Sequence, residues 1–266
     1  MSSIVRPTPA QKTRRWLVLA AVVFAVVIAY AQMAMGWGQT PEEFSADSDA
    51  TLRVAGYAFS IWGLIYLGLI IYAVRQALPQ TGESRLINRL GWPSLLALLG
   101  IGWWIVASAL DQEWATVVLI FGSLLVLLVP MLGEAGTIRT LGRFDRDRLT
   151  VVWPLGLLAG WLTVASPVNL LTILTGNGDL PAALSPELWA GLAVVAVAIV
   201  TLGVVARLRV LSYPLPVAWG LLGAFVAELE RDRDTVAYVA LVAAVAVLVG
   251  AIILTFRLRR GVERPT

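Results

Sequence analysis

Charged residues are spaced along this chain so that long runs carry none. Eight stretches contain no Asp, Glu, Lys or Arg: 16–41, 54–74, 90–110, 114–133, 149–178, 188–206, 210–227 and 235–256. The shortest has 18 residues and the longest 30. A helix crosses a hydrocarbon core with about 20 apolar residues. A soluble amphipathic helix would show a polar face at every turn or two, and none is present. Period-two alternation is also missing, and in lipid only a helix or a closed barrel satisfies its own backbone. The pattern predicts an all-α, polytopic integral membrane helical bundle of about eight transmembrane helices. The seventh stretch is short and opens Tyr213-Pro214-Leu215-Pro216. Proline is tolerated in a first helical turn, and alternation of the loops favours a full span there.

The charges supply the orientation. With the N-terminus in the cytoplasm, the inner segments hold 17 of the 20 basic residues, leaving only Arg53, Arg231 and Arg233 outside. The positive-inside rule then places both termini in the cytoplasm. The first stretch has a basic flank and a small-residue site, Ala29-Tyr30-Ala31, but its apolar run continues to Trp37. That favours a retained helix over a cleaved signal. Residues 1–15 and 257–266 are expected to be basic cytoplasmic tails, the first disordered. The longest outer loop, 36–53, carries Glu42, Glu43, Asp47 and Asp49. The net charge of +3 reflects topology, and no basic patch with interleaved aromatics points to nucleic acid.

Composition removes several chemistries. There is no cysteine and no histidine, and the single lysine is Lys12. Thiol nucleophiles, Cys/His metal sites and a buried-lysine Schiff base are excluded. The uncharged stretches offer no group with a usable pKa for acid–base catalysis, so no catalytic residue and no metal ligand is assigned. Asp145 and Asp147 have a spacing that can hold Mg²⁺, but a solvated loop with local pairs to Arg143, Arg146 and Arg148 is the preferred reading.

Tryptophan is what remains. Six of the 11 tryptophans, Trp16, Trp37, Trp92, Trp114, Trp153 and Trp189, sit at predicted helix ends, where an interfacial belt is expected. Trp62, Trp103, Trp104, Trp161 and Trp219 lie deeper, either as core packing or as walls of an aromatic pocket. In the fifth helix Gly156 and Gly160 form a small-x-x-x-small pair that allows close helix approach. Trp161, Ala165 and Asn169 follow at i, i+4 and i+8 on one face. A buried Asn needs hydrogen-bond partners, so this face is either a packing seam with an inter-helix bond or the lining of a ligand site.

The segment Gly56-Tyr57-Ala58-Phe59-Ser60-Ile61-Trp62-Gly63-Leu64-Ile65-Tyr66 resembles the second-helix motif of the tryptophan-rich sensory proteins, the TspO and mitochondrial benzodiazepine receptor family. Trp62 and Tyr66 keep its Trp-x-x-x-Tyr spacing. Trp161, Ala165 and Asn169 keep the Trp-x-x-x-Ala-x-x-x-Asn pattern of its fifth helix, and Trp104 is similar to its third-helix Trp. The resemblance covers 16–175, five helices in family order, and leaves three additional helices over 176–256. The family's proline-rich approach to the second helix is missing, Phe59 lies one residue closer to Trp62, and Gly100 or Ile101 replaces a third-helix Asn.

The resemblance implies an extended, divergent member that binds flat hydrophobic molecules. It places Trp62, Tyr66, Trp104 and Trp161 as stacking groups, Ala165 as the residue that makes room and Asn169 as the polar contact. It implies no bound cofactor beyond a tetrapyrrole as ligand, the lipid bilayer as surroundings, homodimerisation, and residence in a bacterial inner (plasma) membrane. The leading expectation is a sensor or binding protein for a porphyrin or sterol-like compound. A transporter of hydrophobic solutes is the alternative, with Pro154, Pro167, Pro214 and Pro216 as helix breaks. A membrane enzyme acting on a lipid or isoprenoid, with Asp145 and Asp147 at the inner face, ranks third.

Overall fold

The structure, a computed structural model, describes residues 7–46, 51–78 and 84–260. Among these residues the chain is helical with no strand. The ten helices are α1 (Pro9–Met35), α2 (Pro41–Ala46), α3 (Ile61–Ala77), α4 (Arg85–Ala109), α5 (Glu113–Gly133), α6 (Ala135–Thr140), α7 (Trp153–Gly176), α8 (Pro186–Leu208), α9 (Pro214–Leu229) and α10 (Asp234–Arg260). A 3-10 turn, Gly56–Ser60, runs into α3, and a wide turn, Arg148–Val152, runs into α7. Asp47, Asp49, Arg6 and Arg264 lie outside the described residues.

Local chemistry sets the helix ends. Thr8 caps α1 reciprocally with Gln11, and Gly36 closes it at φ 62°. The helix therefore starts at Pro9, inside the segment expected to be a disordered tail. Ser84 and Ser185 cap α4 and α8 through the amides of Ile87 and Leu188.

Seven helical segments are long and apolar enough to cross a membrane. The chain is an integral, multi-pass membrane protein. α9 is the short helix expected from the seventh stretch. Its 16 residues reach about 24 Å, short of a core of about 30 Å. The loop before α3 packs along its last two turns. The Ala55 amide donates to the Gly223 carbonyl at 3.0 Å, the Arg53 amide to Glu228 Oε1 at 2.7 Å, and Arg233 Nη1 to the Thr51 carbonyl at 3.1 Å. Thr51, Leu52 and Val54 are buried there. Glu228, which the sequence places in the outer turn beyond the uncharged stretch, is fully buried.

Hydrogen bonds between distant segments confirm that the helices alternate in direction. At the basic end Arg14 and Gln11 both donate to Asn88 Oδ1, Arg85 pairs with Glu134, Arg148 donates to the Arg209 carbonyl, and Ser212 donates to the Val152 carbonyl. At the other end Asn177 donates to Glu113 Oε2 at 2.6 Å. Asp147 pairs with Arg75 of α3, so its partner lies across the bundle and not in its own loop as adjacency suggests. Asp145 accepts from the Asp147 amide at 2.7 Å.

α7 is the axis of the bundle. It is apolar on every side, as a fully surrounded helix must be, and continues through Pro167. Its small-residue pair does what the spacing predicts. A Cβ on Gly160 would fall 2.0 Å from the Tyr213 carbonyl oxygen, and one on Gly156 would fall 2.3 Å from Ser212 Oγ. The start of α9 is thus seated on the bare backbone of α7. Thr163 and Tyr213 share a buried hydroxyl contact of 2.7 Å across the same seam.

Candidate ligand-binding site

Three of the five deep tryptophans converge. Trp62, Trp104 and Trp161 line one cavity together with Phe59, Ile101, Ile120, Leu162, Val164, Ala165, Val168, Asn169 and Thr172. Trp161 is almost fully buried and meets both Phe59 and Trp62 edge-on, at centroid distances of 5.8 and 6.3 Å. The other two deep tryptophans do not line it. Trp103 turns outward, 53% exposed, and packs on Phe24 of α1. Trp219 donates its indole N–H to the Ala58 carbonyl at 2.9 Å and stands edge-on to Tyr57. It props the start of α3 from behind.

Residues 41–45 form the roof. Thr40 and Glu43 cap each other, with Thr40 N to Glu43 Oε2 at 2.7 Å and Glu43 N to Thr40 Oγ1 at 3.2 Å. These bonds hold Glu43 below its usual pKa of 4.5, the backbone N–H contributing most. The helix they start, α2, turns Pro41, Phe44 and Ser45 onto the cavity. Phe44 is buried and stands edge-on to Trp104 at 5.6 Å. Ser45 is 6% exposed and its hydroxyl has no hydrogen-bond partner. The sequence reading assigned none of these three. The Thr40-Pro41-Glu42-Glu43 capping pattern was the available signal.

Asn169 lines the cavity but is already engaged. Its Oδ1 accepts the indole N–H of Trp104 at 2.9 Å, and its Nδ2 donates to Thr116 Oγ1 at 2.9 Å. Thr116 passes its own proton to the Glu113 carbonyl at 2.6 Å. The amide therefore ties α4, α5 and α7 together and holds Trp104 in orientation. An amide has four hydrogen-bonding positions, so one lone pair and one N–H remain. Ala165, one turn before Asn169, presents only a methyl group to the cavity.

Tyr66 lies elsewhere. It stacks on Trp62 at 5.2 Å and lines a second, larger cavity of about 390 Å³ between α1 and α3. Pro41, Phe59 and Trp62 are shared by the two cavities and form the wall between them. The inner cavity measures about 50 Å³ and has no charged residue in its lining. Among the described residues no group of three His, Cys, Asp or Glu could hold a metal ion.

A family model described as "TSPO-like protein" matches residues 15–253 of the chain. The match runs from α1 through α10, past the five helices over which the motifs were read. No curated protein and no solved structure matches.

Proposed function

The chain belongs to the TSPO-like protein family, and from that premise we propose that it is a membrane binding protein, of the sensor type, for a flat hydrophobic ligand held between α3, α4 and α7 under α2. One observation carries the reading. An uncharged cavity is walled by three tryptophans and roofed by a helix that places the buried, unpartnered Ser45 hydroxyl at the site. Pockets for small hydrophobic molecules have this composition: aromatic walls and a few placed polar groups.

Trp62 and Trp161 supply ring faces and edges to a planar molecule. Trp104 is fixed for the same work by Asn169, and Ala165 leaves width where a larger side chain would fill the cavity. Ser45 gives the ligand a donor or acceptor, and Asn169 offers its remaining lone pair and N–H.

The cavity volume of about 50 Å³ is far below the ~300–1,000 Å³ of small-molecule sites. A porphyrin or sterol-like ligand therefore requires α2 to lift with Phe44. Among the described residues, this six-residue helix makes no backbone hydrogen bond to another helix. Titration of the protein in nanodiscs with protoporphyrin, followed by tryptophan fluorescence, tests the reading. Saturable quenching supports it, and quenching that only grows linearly with membrane loading contradicts it.

A further inference from the structure

The larger cavity has a chemistry of its own. Its wall carries three aromatic rings in series: Trp62 stacked on Tyr66 at 5.2 Å, and Tyr30 tilted against Tyr66 at 6.2 Å. Gln32, Thr40 and Ser60 add polar atoms, and Glu42 adds a carboxylate. No Lys or Arg lines it. Among the described residues Glu42 makes no ion pair and no hydrogen bond. Gly56 leaves room for that carboxylate, since a Cβ there would fall 1.8 Å from Glu42 Oε1. The inner cavity lacks any such charge.

Aromatic faces attract a cation through the ring quadrupole, and quaternary ammonium groups are held in aromatic cages on this principle. An adjoining carboxylate strengthens that attraction. The volume of about 390 Å³ lies within the range of small-molecule sites. We propose that this cavity, between α1 and α3 beneath the first turn of α2, binds a quaternary ammonium group carrying an apolar body. Tyr30 and Trp62 would give it aromatic surface, Tyr66, packed between them, would hold both rings in place, and Glu42 would be the counter-charge. The site is separate from the inner one: Trp62 is common to both, while Glu42 serves only the cation and Trp161 only the inner cavity.

The full chain in dodecylmaltoside, free of choline lipids, is titrated with radiolabelled benzyltrimethylammonium by equilibrium binding. Saturable binding is expected. Glu42→Gln should weaken it at least tenfold, Tyr66→Leu at least fivefold, and Ala165→Leu, which fills the inner cavity, less than twofold. A water-soluble short-chain phosphatidylcholine is the competitor that separates the sources. Displacement at lower concentration than unlabelled benzyltrimethylammonium assigns the site to a lipid headgroup. Weaker displacement assigns it to a free organic cation, and either result supports an ammonium site. Absence of saturable binding, or Glu42→Gln binding as tightly as the parent chain, overturns the proposal. Loss of protoporphyrin binding in Ala165→Leu with ammonium binding intact keeps the fates of the two sites apart.

Discussion

The indole N–H of Trp104 donates to Asn169 Oδ1 at 2.9 Å, joining α4 to α7 at the edge of the inner cavity. The opposite end of the same amide holds Thr116 of α5. One side chain thus orients a wall of the site and closes three helices on one another. Removing it leaves an indole N–H and a hydroxyl in an apolar setting. Asn169→Leu should lower stability by about 1 kcal/mol, in the range of hydrogen bonds between membrane helices. A thermal-unfolding cycle with Thr116→Val checks it: the two losses should be less than additive, because the two substitutions remove the same bond.

The α7–α9 seam should tolerate no added methyl. Gly160→Ala places a Cβ against the Tyr213 carbonyl and Pro216, both poor at yielding. A loss of about 1–3 kcal/mol is expected, the usual cost of overpacking. Gly122→Ala is the control. Nothing lies within 4 Å of its added Cβ, so thermal stability should stay level or rise slightly.

The hydroxyl of Ser45 should matter to polar ligands alone. Ser45→Ala removes the unpartnered group and leaves Phe44 and Pro41 in the roof. For a ligand with a hydrogen-bonding group, affinity should fall by about 3- to 10-fold, one hydrogen bond's worth. A hydrocarbon analogue of similar shape should bind unchanged. Paired titrations of the two ligands measure it.

Glu228 should control the loop that packs along α9. The carboxylate accepts from the Arg53 amide and from Arg231 Nη1 at 3.0 Å. Charge-assisted bonds of this kind are the stronger ones, and Glu228→Leu removes both. Hydrogen exchange should speed up at Arg53 and Ala55, with little change in the middle of α7. Unchanged protection at Arg53 would contradict the loop's anchoring by Glu228.

At the basic end, Glu134 should contribute stability that is lost in acid. Burial alone would raise its pKa, but the Thr137 hydroxyl and Arg85, together with the charges of Arg85 and Arg89, outweigh it and hold the group below 4.5. A carboxylate whose folded pKa lies below its unfolded value stabilises the fold above the unfolded value. That contribution vanishes as pH falls through the folded one. The stability advantage of the parent chain over Glu134→Gln should therefore be present at neutral pH and disappear on acidification. It should also shrink with salt, because Arg85 and Arg89 are largely exposed.

The helical bundle was readable because lipid imposes a simple rule: uncharged runs of spanning length can only be helices or barrel strands. The seam at Gly156 and Gly160 was readable for a related reason, since small residues at i and i+4 are what close approach requires. What escaped depends on how segments far apart in sequence meet. Trp103 and Trp104 are adjacent, so they point about 100° apart on a helix and only one can face the cavity. Spacing cannot choose between them. The shortness of α9 was visible, but the loop at 51–55 that packs beside it was not, because that pairing depends on Glu228 and Gly223. Loop acidity at 36–53 obscured the α2 roof. Spacing leaves Asn169 open between a packing seam and a ligand-lining face; it stands on the cavity wall with both amide atoms engaged.

The central claim is that a hydrophobic ligand sits between α2 and α7, and photolabelling tests its location most directly. A flat hydrophobic probe carrying a diazirine is irradiated with the protein in nanodiscs, and the labelled residues are mapped by mass spectrometry. Labels should fall on Pro41–Ser45 and on Trp161–Asn169, disappear with excess unlabelled ligand, and be reduced in Trp161→Leu. Labelling confined to the lipid-facing surface around Trp103, indifferent to competitor, would contradict the account.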